Sequence, residues 1–260
     1  ELILLTTLYQ GLWAKFFGKK HVIFTWENIR YEEKFKGINL FIKKFILNLN
    51  LAFCDGIICG NTKASAILSH YTQKPSAVIP LSGVDTDFFK REDRPKKIKD
   101  LDLTGKIIFN FSGAIVYRKG LHVILKAFKK VLTEIPNAHL LIVGSGEYEN
   151  KIMGLIDELG LNKDVTLISW LNKEGLKDIF NVSDVFLYPS LSYGGWEEQF
   201  GYSMAEASLM ELPVIATKTG SIDEVVIDGQ TGLLIEADNE GRLAESMVFL
   251  AKDETRRHVL

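Results

Sequence analysis

Short apolar runs rich in valine and isoleucine alternate with helix-period segments along nearly the whole chain. The runs predict strands at Val22–Trp26, Gly56–Cys59, Ala77–Pro80, Lys106–Ser112, Ala138–Val143, Val165–Trp170, Val185–Tyr188, Pro213–Ala216 and Gly232–Ile235. Between most of them the spacing predicts helices. Gly120–Glu134 carries an apolar stripe at Leu121, Ile124, Leu125 and Phe128, and Tyr148–Leu159, Tyr202–Met210 and Arg242–Ala251 follow. This alternation is that of parallel sheets with helices on both faces, so the fold class is α/β.

One stretch breaks the rhythm. LSGVDTDFFKREDRPKKIKDLDLTG, Leu81 to Gly105, is polar, charged and poor in periodicity, and it reads as a linker. The predicted organisation is a first Rossmann-like domain at 1–82, a linker at 83–104 and a second Rossmann-like domain at 105–260. The first has three strands and is expected to be incomplete. Two such domains are expected to leave a cleft at the carboxyl ends of their strands, where ligands of these sheets bind.

At 260 residues, 47% hydrophobic and 25% charged, the chain can bury a sizeable core. A formal net charge of −2 gives no overall attraction to nucleic acid. The charge is uneven: residues 1–50 hold eight Lys/Arg against four Glu, a local +4. Glu1 stands in an apolar run without an initiator methionine, and the chain closes on RRHVL inside a helical pattern, so it is expected to be a fragment. Cys54 and Cys59 lack zinc-site spacing and read as reduced core thiols of a cytoplasmic protein. INLFIKKFILNLNLAF is interrupted by Lys43 and Lys44 and reads as an amphipathic helix rather than a membrane span.

Three motifs fall at predicted strand ends. In SGAIVYRKGLHVILKAF a strand ends at Gly113, and Arg118 and Lys119 precede Gly120, where a helix starts. A guanidinium beside an ammonium suits a diphosphate; a solvated basic loop is the alternative. In LLIVGSGEYENKI, Gly144 and Gly146 permit either close approach of a ligand or a tight turn. In WEEQFGYSMAEA, Glu198 and Glu206 flank a helix start at Gly201 or Tyr202, whose free amides suit a negative group. Glu206 could accept from a vicinal diol and Glu198 from sugar hydroxyls, or these acids serve the helix dipole and solvent. The spacing gives Glu197 no role.

Together PLSGVDTDFF, GAIVYRKGLHVILKAF, LLIVGSGE, VSDVFLYPS, EEQFGYSMAEASLMELPVIAT and TGSIDEVVIDGQTGLLI resemble, in order, the retaining glycosyltransferases of family 4, which have the GT-B fold. The resemblance covers roughly Gly56 to Ala251. It implies hexosyltransferase-type transfer from a nucleotide-diphosphate sugar, as co-substrate and without a metal or other cofactor, to a glycan or lipid-linked glycan in polysaccharide biosynthesis. It implies that Lys119, with Arg118 beside it, binds the diphosphate, that Glu198 contacts the donor sugar, and that Glu206 holds the ribose. Amides around Phe200, Gly201 and Tyr202 would meet phosphate or sugar. Gly113, Gly144 and Gly146 complete the donor side, and base contacts fall near Trp170. The chain departs from the family at Ala114, where an arginine is frequent, and at Glu27, where a histidine is frequent.

Asp85 to Asp87 in GVDTDFF read as a turn rather than a metal-binding pair, and the five histidines are scattered. The lysines and aromatics of LYQGLWAKFFGKK and KGINLFIKKFILNL fit either an anionic membrane face or helices packed on their sheet. Two further readings are a sugar-nucleotide epimerase of similar shape and a non-catalytic sugar-nucleotide-binding protein. The donor's base and sugar, the acceptor and the oligomeric state have no signature in the sequence.

Overall fold

The computed structural model describes residues 1–80, 83–92, 97–98 and 101–260, and it divides into two compact units. The first comprises Glu1–Gly83 together with Ser192–Phe200, and the second Val84–Leu191 together with Gly201–Leu260. Residues 81–82 at the expected domain boundary, and 93–96 and 99–100 of the expected linker, lie outside the described residues.

In the first unit, α1 (Leu5–Phe16), β1 (Val22–Thr25), α2 (Tyr31–Lys34), α3 (Gly37–Phe53), β2 (Gly56–Cys59), α4 (Thr62–Leu68) and β3 (Ser76–Val78) follow one another. The strands form a parallel sheet in the order β1-β2-β3, with Val22 opposite Gly56 and Ile57 opposite Ser76. Ile23, Ile57 and Cys59 meet Leu47 and Leu51 of α3 in one core, which also buries Cys54. Burial pushes both thiols above their ordinary range. The C-terminal half of α3 is buried through Ile46, Leu47, Asn50 and Leu51, and of its first turn Leu40 packs partly against the same core. Ile38, Phe41, Ile42 and Phe45 on its earlier turns are exposed, so its apolar surface is wider than the face that packs. Asn61 starts α4 by accepting from the Ala64 amide at 2.7 Å, a side-chain cap.

The second unit opens with the short antiparallel pair β4 (Lys97–Ile98) and β5 (Leu101–Asp102). Then come β6 (Ile107–Ser112), α5 (Leu121–Glu134), β7 (Ala138–Val143), α6 (Glu149–Leu159), β8 (Val165–Ile168) and α7 (Lys173–Val182). β9 (Val185–Tyr188), α8 (Tyr202–Leu209), β10 (Val214–Thr217), β11 (Gly232–Ile235), α9 (Glu240–Lys252) and α10 (Glu254–Val259) complete it. The six main strands are parallel and lie in the order β8-β7-β6-β9-β10-β11. Counted from β6 this is the doubly wound order 3-2-1-4-5-6. Every residue of β7, β9 and β10 is buried, as strands covered by helices on both faces require. The chain is therefore α/β, with a parallel sheet in each unit.

A side-chain cap accounts for one departure from the predicted boundaries. α9 starts two residues earlier than its apolar spacing indicates because Asn239 accepts from the Arg242 amide at 2.9 Å. Arg118 and Lys119, expected in an open loop, lie in a 3-10 turn over Tyr117–Lys119. The stretch expected to be a linker packs on the second unit in its described residues. Phe89 is 1% exposed, 6.1 Å from Phe180 between ring centroids, and the Arg91 guanidinium donates to the carbonyls of Ser183 and Met210. Asp85 accepts from the Phe88 amide at 3.0 Å, which makes the Asp85–Asp87 run a turn. Among the described residues no helix is long and apolar enough to cross a membrane, and no group of three or more His, Cys, Asp or Glu could hold a metal ion.

Candidate functional site

The strand order of the second unit reverses between β6 and β9, and in open parallel sheets ligands lie beyond the carboxyl ends of the strands at that point. β6 leads into Gly113 and the turn carrying Arg118 and Lys119, and β9 ends at Tyr188. Lys119 joins the two. Its Nζ donates to the Tyr188 hydroxyl and lies 4.5 Å from the ring centroid. Lys119 is only 8% exposed, so the chain holds an ammonium at the switch point in a fixed place. Arg118 is partly exposed, and its carbonyl accepts from the Leu191 amide at 2.7 Å, tying the turn to the chain after β9.

Tyr188 also meets the start of α8. Gly201, at φ 83°, precedes that helix in the left-handed region, where a side chain would be strained and its Cβ would fall 3.2 Å from the tyrosine ring. Gly201 brings no side chain of its own to cap α8, whose N-terminal end favours an anion. Tyr202 is exposed beside it. Glu206, one turn on, is half-buried; burial raises its carboxyl above the usual carboxylate range, and the Lys173 ammonium offsets part of that rise.

The loops after β6 and β7 are zippered together. Gly113 donates to Val143 at 2.9 Å, Ile115 to Ser145 at 2.9 Å, and Tyr148 to Ile115 at 3.0 Å. Gly144 adopts φ 146°, and a Cβ there would fall 1.9 Å from the Gly113 carbonyl oxygen. Gly144 and Gly146 thus serve close packing of one loop on another. Trp170, beyond the end of β8, is 74% exposed.

Glu198 and Phe200 belong to the first unit, so the two glutamates of the E-x7-E spacing lie in different units. The segment carrying Glu198 starts as a hairpin: Tyr193 and Trp196 exchange backbone hydrogen bonds of 3.0 Å around Gly194-Gly195. Glu197 pairs with Lys63 at 2.5 Å and accepts from Ser192 at 3.1 Å. Asn28 donates to the Glu198 carbonyl at 2.9 Å, Asn61 to the Gln199 carbonyl at 3.0 Å, and Gln199 to the Trp26 carbonyl at 3.3 Å. Phe200 meets Trp26 edge to face at 6.4 Å. Glu198 itself is 9% exposed. Glu27, where the resemblance led to a histidine, pairs with Lys34 at 2.6 Å.

Sequence reasoning missed Tyr188, whose place at the end of an apolar run reads as core. It also missed Asn28, Asn61 and Lys63, which act over 134 to 170 residues of separation. Asn61 alone has a local signal, as a helix cap.

A sequence model of the glycosyl transferases group 1 matches residues 93–260, well over half of the chain. The chain belongs to the group 1 glycosyltransferases. This glycosyltransferase is 29% identical over 269 residues to the capsular polysaccharide biosynthesis glycosyltransferase CapM of Staphylococcus aureus, covering 96% of this chain and 66% of that one. It is 33% identical over 184 residues to a GDP-mannose-dependent monoacylated alpha-(1-6)-phosphatidylinositol monomannoside mannosyltransferase of Corynebacterium glutamicum, covering 68% of this chain and 47% of the relative. The chain thus spans about half to two thirds of the length of these relatives. In fold it is similar to HepE of Anabaena, solved in complex with UDP, with a TM-score of 0.84 at 19% identity over 97% of this chain and 68% of that one.

Proposed function

We propose that the chain transfers a hexosyl group from a nucleotide-diphosphate sugar to a hydroxyl of a glycan or lipid-linked glycan, with retention of anomeric configuration. The observation that carries this reading is the buried Lys119 ammonium, fixed by Tyr188 at the switch point of the sheet. As the bond from the sugar to the diphosphate breaks, negative charge grows on the leaving oxygen. Lys119 and Arg118 stabilise that charge, and the helix N-terminus at Gly201 and Tyr202 adds to it. This role needs no metal ion or other cofactor. Glu206 accepts from the ribose hydroxyls and Glu198 from the donor sugar, as the family resemblance implies. Trp170, Gly113, Gly144 and Gly146 border the base and phosphate side.

Two relatives support a nucleotide-sugar donor: one bears GDP-mannose in its name, and HepE was solved with UDP. In this reading residues 105–260 take the donor and residues 1–82 the acceptor. The exposed Trp13, Phe16, Phe41 and Phe45, with Lys15, Lys43 and Lys44 nearby in sequence, support peripheral contact with the cytoplasmic face of a membrane.

The test is to incubate the protein with UDP-, GDP- and ADP-sugars, with and without lipid or glycan acceptors. Transfer or donor hydrolysis that is lost in Lys119→Ala and Glu198→Ala supports the reading. Epimerised product without acceptor, or binding with unchanged donor after long incubation, overturns it.

A further inference from the structure

Residues 197–200 lie in no helix or strand, so other groups must set their conformation. The Asn28 amide reaches the Glu198 carbonyl, and the Asn61 amide reaches the next carbonyl, Gln199. These asparagines follow the adjacent parallel strands β1 and β2, and both are buried, at 4% and 3% exposure. Lys63, two residues after Asn61, fixes Glu197 on the preceding residue. Gln199 returns a bond to the Trp26 carbonyl, and the Gly194-Gly195 hairpin anchors the segment upstream. Three consecutive residues are therefore held from the ends of two neighbouring strands, and the central one is Glu198.

We propose that Asn28 and Asn61, assisted by Lys63, are positioning residues for sugar recognition: they fix the backbone of residues 197–199 so that the Glu198 carboxylate is held where the donor sugar arrives. This rests on the reading of Glu198 as the donor-sugar contact. Such a role is specific to the sugar. A carboxylate held loosely loses hydrogen bonds to the glycosyl group, while the nucleoside diphosphate keeps Lys119, Arg118 and the N-terminus of α8.

The asparagines allow a clean substitution. Asn61→Asp keeps an oxygen to accept from the Ala64 amide, so α4 stays capped, but it removes the donor to Gln199. Asn28→Asp likewise removes the donor to Glu198. UDP-glucose, UDP, GDP-mannose and GDP are titrated calorimetrically into the wild type, Glu198→Ala, Asn28→Asp, Asn61→Asp and the Asn28→Asp/Glu198→Ala double variant. Amide hydrogen exchange of residues 197–200 is followed in parallel. Each aspartate variant should bind the sugar nucleotide that the wild type accepts about tenfold more weakly and its nucleoside diphosphate within about twofold. The double variant should bind like Glu198→Ala, and the amides of 197–200 should exchange faster while those of α4 stay protected.

Loss in Glu198→Ala with no loss in the aspartate variants overturns the positioning role and spares the donor reading. Equal losses for sugar nucleotide and nucleoside diphosphate, or unchanged exchange at 197–200, also overturn it. An unaffected Glu198→Ala, or a wild type that binds none of the four compounds, removes the donor reading and the proposal with it.

Discussion

Lys119 donates its ammonium proton to the hydroxyl of Tyr188, linking the turn after β6 to the end of β9 across the reversal of strand order. The hydroxyl holds the charge in place without neutralising it. Tyr188→Phe keeps the ring that packs on Phe186 and removes this anchor. Binding of UDP or GDP, whichever the wild type takes, should weaken about three- to tenfold, because the ammonium must then be ordered at the moment of binding. Thermal unfolding should change little, by about 1 kcal/mol. Isothermal titration with a parallel melt checks both, and unaltered nucleotide affinity would show that the tyrosine anchor is irrelevant to the site.

Glu206 carries a conflict between stability and binding. Burial raises its carboxyl above the value of an unfolded chain, so the folded state favours the protonated form. Below the unfolded value both states are protonated and the group costs nothing. As pH rises through the raised folded value, the unfolded state ionises more readily and stability falls. Glu206→Gln should therefore melt higher than wild type at pH 7 and converge with it near pH 4. The same variant should bind a ribonucleotide about tenfold more weakly if the carboxylate accepts from the ribose. Melts across pH check the first part and titration the second; a variant less stable than wild type at pH 7 contradicts the desolvation argument.

The apolar runs at Gly56–Cys59, Ala138–Val143, Val185–Tyr188 and Gly232–Ile235 became strands with those bounds, because a buried parallel strand is continuous in hydrophobicity. Val165–Trp170 stops at Ile168, since the exposed Trp170 continues the apolar spelling of the run but not its burial. The place of Lys119 at a strand end was readable from its glycine and the following stripe. What holds it was not, because a tyrosine at the end of a core strand looks the same whether or not its hydroxyl has a task. The seating of Ser192–Phe200 on the first unit was hidden for a different reason. Asn28 and Glu198 are 170 positions apart, and no local pattern records a bond between a side-chain amide and a distant carbonyl.

Gly144 is fixed by space as well as by its dihedral angle. At φ 146° a side chain is strained, and a Cβ would sit 1.9 Å from the backbone oxygen of Gly113, which cannot swing away as a flexible side chain could. Gly144→Ala should cost at least about 3 kcal/mol, read as a lowered midpoint in urea. Because Gly113 and Ile115 are hydrogen-bonded to the same loop, nucleotide binding should weaken as well. A variant with wild-type stability would mean that the two loops separate at little cost.

His139 supplies an acid limb to the stability curve. It is 2% exposed on β7, with Nε2 at 2.8 Å from the Thr166 hydroxyl and Nδ1 at 3.4 Å from the Lys106 ammonium. An ammonium only donates, so Nδ1 is the acceptor and the ring proton sits on Nε2. Burial, then the Lys106 charge, lower the imidazole to about 4, with Asp164 opposing weakly. A group depressed on folding contributes stability that is present above its unfolded value near 6.5 and is lost as pH falls toward 4. The loss amounts to about 3 kcal/mol at its limit. His139→Gln removes this titration while keeping a neutral polar side chain. Wild type should lose stability faster than the variant between pH 6.5 and 4, so urea midpoints of the two should draw together as the solution is acidified. Parallel pH profiles would show instead that folding does not depress the imidazole, so that His139 takes up its proton as readily in the folded as in the unfolded protein.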